Sequence, residues 1–180
     1  CSSDLQWDGY PVYRDGALMP LMTPTERSPN GVISIAGDIH STWVSDHGEG
    51  RFCFTTASIS SETFYGLLAG QVGSLAETLS GGNPARKAQL QSQANGLLAL
   101  ADIIIEQSDA KTLLGRTQEH GIGIVEADAQ GLLVRFVQVK PTVAGLNMIG
   151  QSWYHMPSVV RDAMFERRYR VESNTLTLLA

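Results

Sequence analysis

The pattern of apolar residues first predicts two strands in the N-terminal third of the chain. Residues 31–36 are rich in β-branched side chains and lie between glycine-containing turns, which is typical of a buried strand that ends in a loop. Residues 51–57 follow a glycine-rich turn, and strand alternation places Phe52 and Phe54 on one face and Cys53 on the other. We interpret Cys53 as a small core residue.

A long amphipathic helix is predicted after residue 83. Asn83 is suited to cap a helix whose first residue is Pro84, and apolar residues then recur at steps of three and four as far as Ile105. Polar residues occupy the other sectors of this stretch. We therefore expect one helix that covers the core.

The C-terminal half is expected to contain mainly strands. Residues 121–127 and 132–139 flank a short polar turn that ends in glycine, which is typical of a β-hairpin, and a last strand is expected within residues 168–179. Residues 1–30 hold four of the seven prolines, so they should be extended or turning apart from a short helix around residues 15–19.

Composition limits the class of protein. A length of 180 residues with 43% hydrophobic residues fits one folded unit of mixed strands and helices, of the α/β or α+β class. The formal net charge is −5 with no block of like charges, so a nucleic-acid backbone is not an expected partner. No apolar run reaches the roughly 20 residues of a transmembrane segment. An anionic ligand would need a local positive centre such as a metal ion.

The sharpest local feature is an Asp-x-His pair directly after the first predicted strand. If the backbone stays extended, Asp38 and His40 point the same way, and their oxygen and nitrogen donors can converge on one cation or on two adjacent cations. Gly37 would let the chain approach a ligand closely. The alternative interpretation is a capping aspartate beside an ordinary loop histidine.

Four segments together resemble a known family. They are Gly37-Asp38-Ile39-His40-Ser41, the preceding Val32-Ile33-Ser34-Ile35-Ala36, the upstream Trp7-Asp8-Gly9-Tyr10-Pro11 and the downstream Thr56-Ala57-Ser58-Ile59-Ser60-Ser61. Their order and spacing resemble the C-terminal part of PhoD-like alkaline phosphatases, which belong to the calcineurin-like metallophosphoesterases. The likeness covers roughly the first 65 residues, and residues 121–139 are similar to a later strand pair of the family.

This resemblance implies a fold and an activity. The fold would be an α/β sandwich of two mixed sheets flanked by helices, and the activity would be the hydrolysis of phosphate monoesters or diesters. Asp38 and His40 would be late ligands of a two-metal site that holds iron and calcium, with zinc or manganese as further candidates. In that scheme the ions clamp the phosphate oxygens and lower the pKa of a bridging water that attacks phosphorus.

The resemblance also implies that part of the enzyme lies outside these 180 residues. The family's earlier ligands, an Asp at a strand end and an Asn-His-Asp segment, are not found in the sequence. Residues 1–180 would then be the C-terminal part of one domain, whose N-terminal half is a required partner. Residues 67–119 and 141–167 would be insertions. The family likeness favours an extracytoplasmic, periplasmic or secreted protein.

Cys1 admits three interpretations. It would carry a lipid if it were the mature N-terminus of a lipoprotein, or it would be the nucleophile of a self-processing amide hydrolase. A proteolytic boundary is the least demanding explanation.

Other candidates have ordinary structural alternatives. His47 lies near His40 in sequence but fits a solvated turn, and Trp7 and Trp43 would line a substrate cleft or anchor packing. The remaining candidates are expected to be structural: His120 and His155 as hydrogen-bonded core histidines, and Arg167, Arg168 and Arg170 as a basic cluster paired with Glu166 and Glu172 rather than with phosphate.

A second function class stays open. The chain would be a non-catalytic binding or structural module if the scaffold had lost its metal site, and the missing early ligands favour this alternative.

Overall fold

The fold contains both strands and helices. The computed structural model describes residues 11–23, 25–26, 33–37, 39–59, 63–139, 142–143, 146–147 and 157–180. The strands are β1 (Ser34–Ala36), β2 (Thr42–Asp46), β3 (Phe52–Thr55), β4 (Thr112–Arg116), β5 (His120–Asp128), β6 (Gly131–Val139), β7 (Thr142–Val143), β8 (Leu146–Asn147), β9 (Met164–Glu172) and β10 (Thr175–Leu179). The helices are α1 (Pro11–Tyr13), a π-helical turn (Arg14–Leu18), α2 (Met19–Met22), α3 (Phe64–Ser80), α4 (Pro84–Leu98), α5 (Ala101–Ser108) and α6 (Pro157–Ala163).

The first sheet is mixed and contains the strand that leads to the Asp-x-His motif. Its strand order is β1-β3-β2-β4. β1 runs parallel to β3, with Ile35 opposite Phe54, whereas β2 is antiparallel to both β3 and β4. β1 was expected to be buried, but Ile35 is 56% exposed because β1 is an edge strand that pairs only with β3.

The second sheet is antiparallel throughout. Its order is β10-β9-β6-β5, and the predicted hairpin of β5 and β6 is confirmed, with Ile124 opposite Arg135. The molecule is thus a mixed α/β fold with two four-stranded sheets flanked by helices, although the expectation of two mixed sheets holds only for the first. The single strand expected within residues 168–179 is two strands, because Ser173 and Asn174 adopt positive φ in a tight turn between β9 and β10.

The hydrophobic core lies between the two sheets. Alternate residues of each sheet face inward and form one buried cluster: Val44, Phe52, Phe54 and Leu114 from the first sheet, and Val134, Phe136, Tyr169 and Val171 from the second. Three rings meet at its centre, where Phe54 lies 6.3 Å from Phe136 and 6.1 Å from Tyr169 between ring centroids. The facing predicted for β3 is confirmed. The interpretation of Cys53 as a core residue is wrong, because Cys53 lies half-buried on the opposite side, outside this core.

Helix α5 covers the free edge of β4. Asp102 and Glu106 are four residues apart and therefore lie on one side of the helix. The Asp102 carboxylate accepts hydrogen bonds from the Thr117 amide at 2.9 Å and its hydroxyl at 2.6 Å, and Glu106 accepts from the Gly115 amide at 3.0 Å. An edge strand exposes unpaired N–H groups, so these carboxylates replace the strand neighbour that β4 lacks on this side.

The long helix expected after residue 83 is two helices. The Asn83 cap and Pro84 at the first position are confirmed, but α4 ends at Leu98 and α5 starts at Ala101. α4 packs with α3 as a helical pair and buries only Leu98 among its described side chains, so the expectation of a core-covering helix is wrong for α4.

Two further expectations need correction. Residues 11–22 are helical rather than extended, so the helical region is longer than the short helix expected at 15–19. Pro11 lies in the first turn, where a missing backbone amide costs little. The stretch 67–119 is not helical throughout, because it contains β4, which pairs with β2 in the first sheet. Its interpretation as an insertion stays a prediction. Among the described helices, none combines the length and apolar character needed to cross a membrane.

Candidate functional site

The loop between β1 and β2 carries the predicted metal ligands. Asp38 lies outside the described residues, so its relation to His40 is not part of the described geometry. A Cβ added at Gly37 would meet Thr56 at 3.7 Å, which is ordinary contact. The protein itself therefore leaves room for a side chain at this position, and the close approach of a ligand to Gly37 stays a prediction.

His40 adopts a left-handed backbone conformation with φ of 56°. The other described non-glycine residues with positive φ are Glu49, Ser173 and Asn174, which lie in hairpin turns, whereas His40 lies in the connection between two strands that are not neighbours. Such a conformation is costly for a residue with a side chain unless its surroundings impose it. The Phe64 amide at the start of α3 donates to the His40 carbonyl at 2.9 Å and fixes this backbone. The extended backbone expected through the Asp-x-His motif is therefore wrong at His40.

His120 lies within the range of an electrostatic effect of His40. It begins β5, is 2% exposed, and places Nδ1 at 3.3 Å from the carbonyl oxygen of Ser58. Burial lowers the pKa of His120, the bond to Ser58 opposes this, and His40 lowers the pKa further. The prediction of a hydrogen-bonded core histidine is confirmed for His120.

A polar network that is buried except at Arg167, whose side chain is 22% exposed, involves residues next to these histidines in sequence. The Arg167 guanidinium donates to both oxygens of Glu119, at 2.6 Å and 2.9 Å, and to the side-chain oxygen of Gln138. The Gln138 amide nitrogen donates to Glu119 at 2.7 Å and to the Thr42 hydroxyl at 2.8 Å. Glu119 precedes His120, and Thr42 follows His40 by two residues. The network thus joins the two chain segments that carry the histidines.

The chemistry of the donors can be compared with the metal site that the resemblance implies. An imidazole such as that of His40 suits iron or zinc, whereas calcium and manganese prefer oxygen donors. Across the described ranges, no group of three or more His, Cys, Asp or Glu side chains is placed to hold a metal ion. The described residues therefore offer one candidate ligand at this position rather than a complete site.

Comparison with known proteins gives no further assignment. The chain matches no protein-family model, no curated protein and no solved structure. The likeness to PhoD-like phosphatases accordingly rests on the motif residues in the sequence.

His47 and Trp43 occupy structural positions. His47 follows the last residue of β2, whereas His40 precedes its first, so the strand of about 16 Å separates them and His47 does not enter the same site. Its carbonyl accepts a hydrogen bond from Arg51 at 3.2 Å, in agreement with a turn residue. Trp43 is half-buried, lies over Gly115 and donates its indole N–H to the Ser41 hydroxyl at 2.5 Å. Its proposed role at a substrate cleft stays a prediction.

The three arginines of β9 do not form one cluster. Strand alternation places Arg167 on the inner face with Glu119, whereas Arg170 pairs with Asp128 and Arg168 with the C-terminal residue. Glu166 pairs with Arg135 instead. The directly bonded partners thus differ from the expected ones, although Glu166 and Glu172 still attract Arg168 and Arg170 electrostatically. The expectation that the arginines are occupied by protein groups is confirmed.

Several sequence candidates lie outside the described residues. They are Cys1, Trp7 and His155, together with Asp38. Their predicted roles are neither supported nor contradicted by the geometry.

The polar network was missed in the sequence, although a signal was present. Val134 and Phe136 occupy inward positions of β6, and alternation gives Gln138 the next one. A glutamine that is buried in an apolar strand requires hydrogen-bonding partners, because burying its amide without them is costly. Arg167 follows the same rule on β9, between Phe165 and Tyr169. Two polar residues at inward positions of neighbouring strands are the pattern that predicts such a network.

Proposed function

We propose that this protein takes part in the hydrolysis of phosphate monoesters or diesters, with Asp38 and His40 as donors to a metal site. The observation that carries the proposal is the backbone of His40, which is held in a left-handed conformation in a connection between strands. Residues kept in such conformations outside turns concentrate at functional sites. The metal assignment itself is supported by the resemblance of the Asp-x-His residues to the family's ligands, because the extended backbone that would align the two side chains is absent at His40.

The surroundings of His40 suit a metal ligand. Ser41 and Thr42, which follow it, are 1% and 0% exposed, so the adjacent backbone has little freedom to move. A ligand on a fixed backbone binds without a large loss of conformational entropy, and the half-buried imidazole has limited access to water. The metal ions would supply a Lewis acid for the phosphate oxygens and a nucleophilic water at neutral pH.

The remaining donors are proposed to come from polypeptide outside these 180 residues. A two-metal site needs about six to eight ligand atoms, more than one Asp-x-His pair provides. The same resemblance favours iron and calcium as the ions and an extracytoplasmic location. A net charge of −5 repels an anionic ester, so bound cations would also be needed for substrate attraction.

Substitution of His40 tests the proposal. In the full-length protein, His40→Ala should remove measurable hydrolysis of an aryl phosphate and the corresponding bound metal, determined by mass spectrometry of the native protein. His47→Ala is the matched control, because His47 lies at the opposite end of β2 and should retain activity. Equal activity of wild type and His40→Ala would contradict the proposal. Absence of both metal and hydrolysis from wild type would favour the non-catalytic module.

A further inference from the structure

Helix α3 exposes a row of large apolar side chains along its whole length. The members of this row, which we call the α3 stripe, are between 37% and 57% exposed: Phe64, Leu67, Leu75 and Leu79. With 3.6 residues per turn, they fall within a sector of about 120° on one side of the helix. Ala76 and Ser80, the buried residues of α3, lie outside this sector.

No charged side chain interrupts the α3 stripe. The charged residue of α3 is Glu77, which lies outside the stripe and forms an ion pair with Lys87 of α4. The helix contains no lysine or arginine. A helix that lies on a membrane surface carries basic residues on its polar face, and binding to a nucleic-acid backbone requires basic residues as well. The stripe therefore favours an apolar protein surface over both of these partners.

The stripe is nearly symmetric about the exposed Gln71. Leu67 precedes Gln71 by four residues and Leu75 follows it by four, whereas Phe64 lies seven residues before it and Leu79 eight after it. If two copies of α3 pack antiparallel across a two-fold axis at Gln71, Leu67 of each copy faces Leu75 of the other. Phe64 then lies beside the other copy's Leu79. The two Gln71 amides meet at the axis, where each can both donate and accept a hydrogen bond.

The size and charge of the stripe also suit two identical chains. Four side chains that are about half exposed leave roughly 300–400 Å² of apolar surface in water, which is the size of a patch that is often functional. With the polar residues between them, two copies would bury on the order of 1,000 Å², the lower size of a specific interface. Chains that each carry a net charge of −5 repel one another, so they require an uncharged face for contact.

We propose that two copies of this protein dimerise through their α3 stripes in an antiparallel arrangement. The partner is a second copy of the chain, because the stripe is complementary to itself in both shape and charge. The small area predicts a reversible dimer whose population rises with protein concentration. This inference is independent of the proposed function.

Sedimentation equilibrium of the full-length protein over a wide range of concentrations tests the dimer. Wild type should behave as a monomer–dimer mixture. Leu75→Glu should raise the dissociation constant by about 100-fold, because an unpaired charge in a buried contact is costly. The matched control is Leu97→Glu, which introduces the same charge at a leucine that is 66% exposed on α4, outside the stripe. This control should dimerise like wild type.

A pair of opposite charges tests the antiparallel register. Leu67→Glu and Leu75→Lys should each prevent dimerisation when present alone. The double variant should recover it, because position 67 of one copy faces position 75 of the other and each carboxylate then meets an ammonium group. Within one helix these two positions are about 12 Å apart, so pairing inside one chain does not explain a recovery.

Several outcomes would overturn the proposal. A wild type that stays monomeric at all concentrations would do so, and two further measurements would then identify the occupant of the stripe. Binding of wild type to phosphatidylcholine vesicles would indicate lipid, and a lower urea midpoint of Leu75→Glu would indicate another part of the chain. Loss of the dimer in Leu97→Glu but not in Leu75→Glu would move the interface to α4. A double variant that stays monomeric would contradict the antiparallel contact.

Discussion

On the outer face of the second sheet, one ion pair has a hydrogen-bond geometry that lowers the pKa of its carboxylate. Asp128 ends β5, and both of its oxygens accept from the Arg170 guanidinium, at 2.6 Å and 2.7 Å. The amides of Gln130 and Gly131 donate to the same carboxylate at 2.7 Å and 3.1 Å. Arg170 first, and then the Gln130 amide, hold the pKa of Asp128 at about 2 instead of 3.8.

The first prediction concerns the pH dependence of this carboxylate. Because its pKa is lowered on folding, the charged group stabilises the fold above pH 3.8, and this contribution disappears as pH falls through about 2. Asp128→Asn keeps the acceptor oxygen but loses the charge. It should be less stable than wild type at neutral pH and should lose less stability between pH 4 and pH 2, as measured by urea unfolding at each pH.

The partner residue supplies the control for this experiment. Arg170→Gln should flatten the same acid region, and the double variant should add little to either single variant. An equally steep acid loss in wild type and Asp128→Asn would contradict the assignment of the charge pair.

At the scale of elements, local patterns predict some parts of this fold and not others. The β5–β6 hairpin and the start of α4 follow from residues adjacent in sequence, so both could be predicted. The break between α4 and α5 could not, because apolar spacing continues through it and the position of α5 depends on Asp102, which binds Thr117. β2 was missed because Thr42 at an inward position is polar, and its partner Gln138 is distant in sequence.

The same distinction explains what could be predicted of the candidate site. The motif itself identified His40, but the sequence did not reveal its left-handed backbone, which depends on the distant Phe64 amide. The electrostatic effect of His40 on His120 likewise connects residues that are distant in sequence. An interaction between residues about 80 positions apart produces no periodic pattern that could be recognised in a single sequence.

The second prediction tests a cap that was predicted from sequence. The side-chain oxygen of Asn83 accepts from the amides of Ala85 and Arg86, at 3.0 Å and 3.1 Å. Asn83→Ala should cost about 1 kcal/mol in the stability of α4. Because α4 buries little, we expect the loss as faster amide hydrogen exchange in the first turn of α4.

Two variants make the cap experiment specific. Asn83→Ser retains an acceptor and should keep most of the protection, whereas Ser92→Ala changes an exposed position in the middle of α4 and should not increase exchange. Comparable increases in Asn83→Ala and Ser92→Ala would show that the cap does not hold the helix.

At the scale of the whole molecule, the two sheets depend on each other for burial. Each sheet presents an apolar inner face, and the rings of Phe54, Phe136 and Tyr169 meet between them with centroids 6.0–6.3 Å apart. The polar network joins the sheets at a second place through Gln138 and Thr42. Neither sheet could bury its inner face alone, so the two should unfold together.

The third prediction follows from this shared core. Phe136→Ala removes a ring that is 1% exposed and should destabilise the protein by about 3–5 kcal/mol in chemical unfolding. Ile104→Ala, at a position 52% exposed on α5, should change stability by no more than about 0.5 kcal/mol. Although Phe136 lies on β6, its loss should also accelerate hydrogen exchange of the Val44 amide on β2 as much as that of Tyr169 on β9, because a cooperative core opens as one unit. Acceleration confined to Tyr169 would mean that the sheets open independently, which would contradict the shared core.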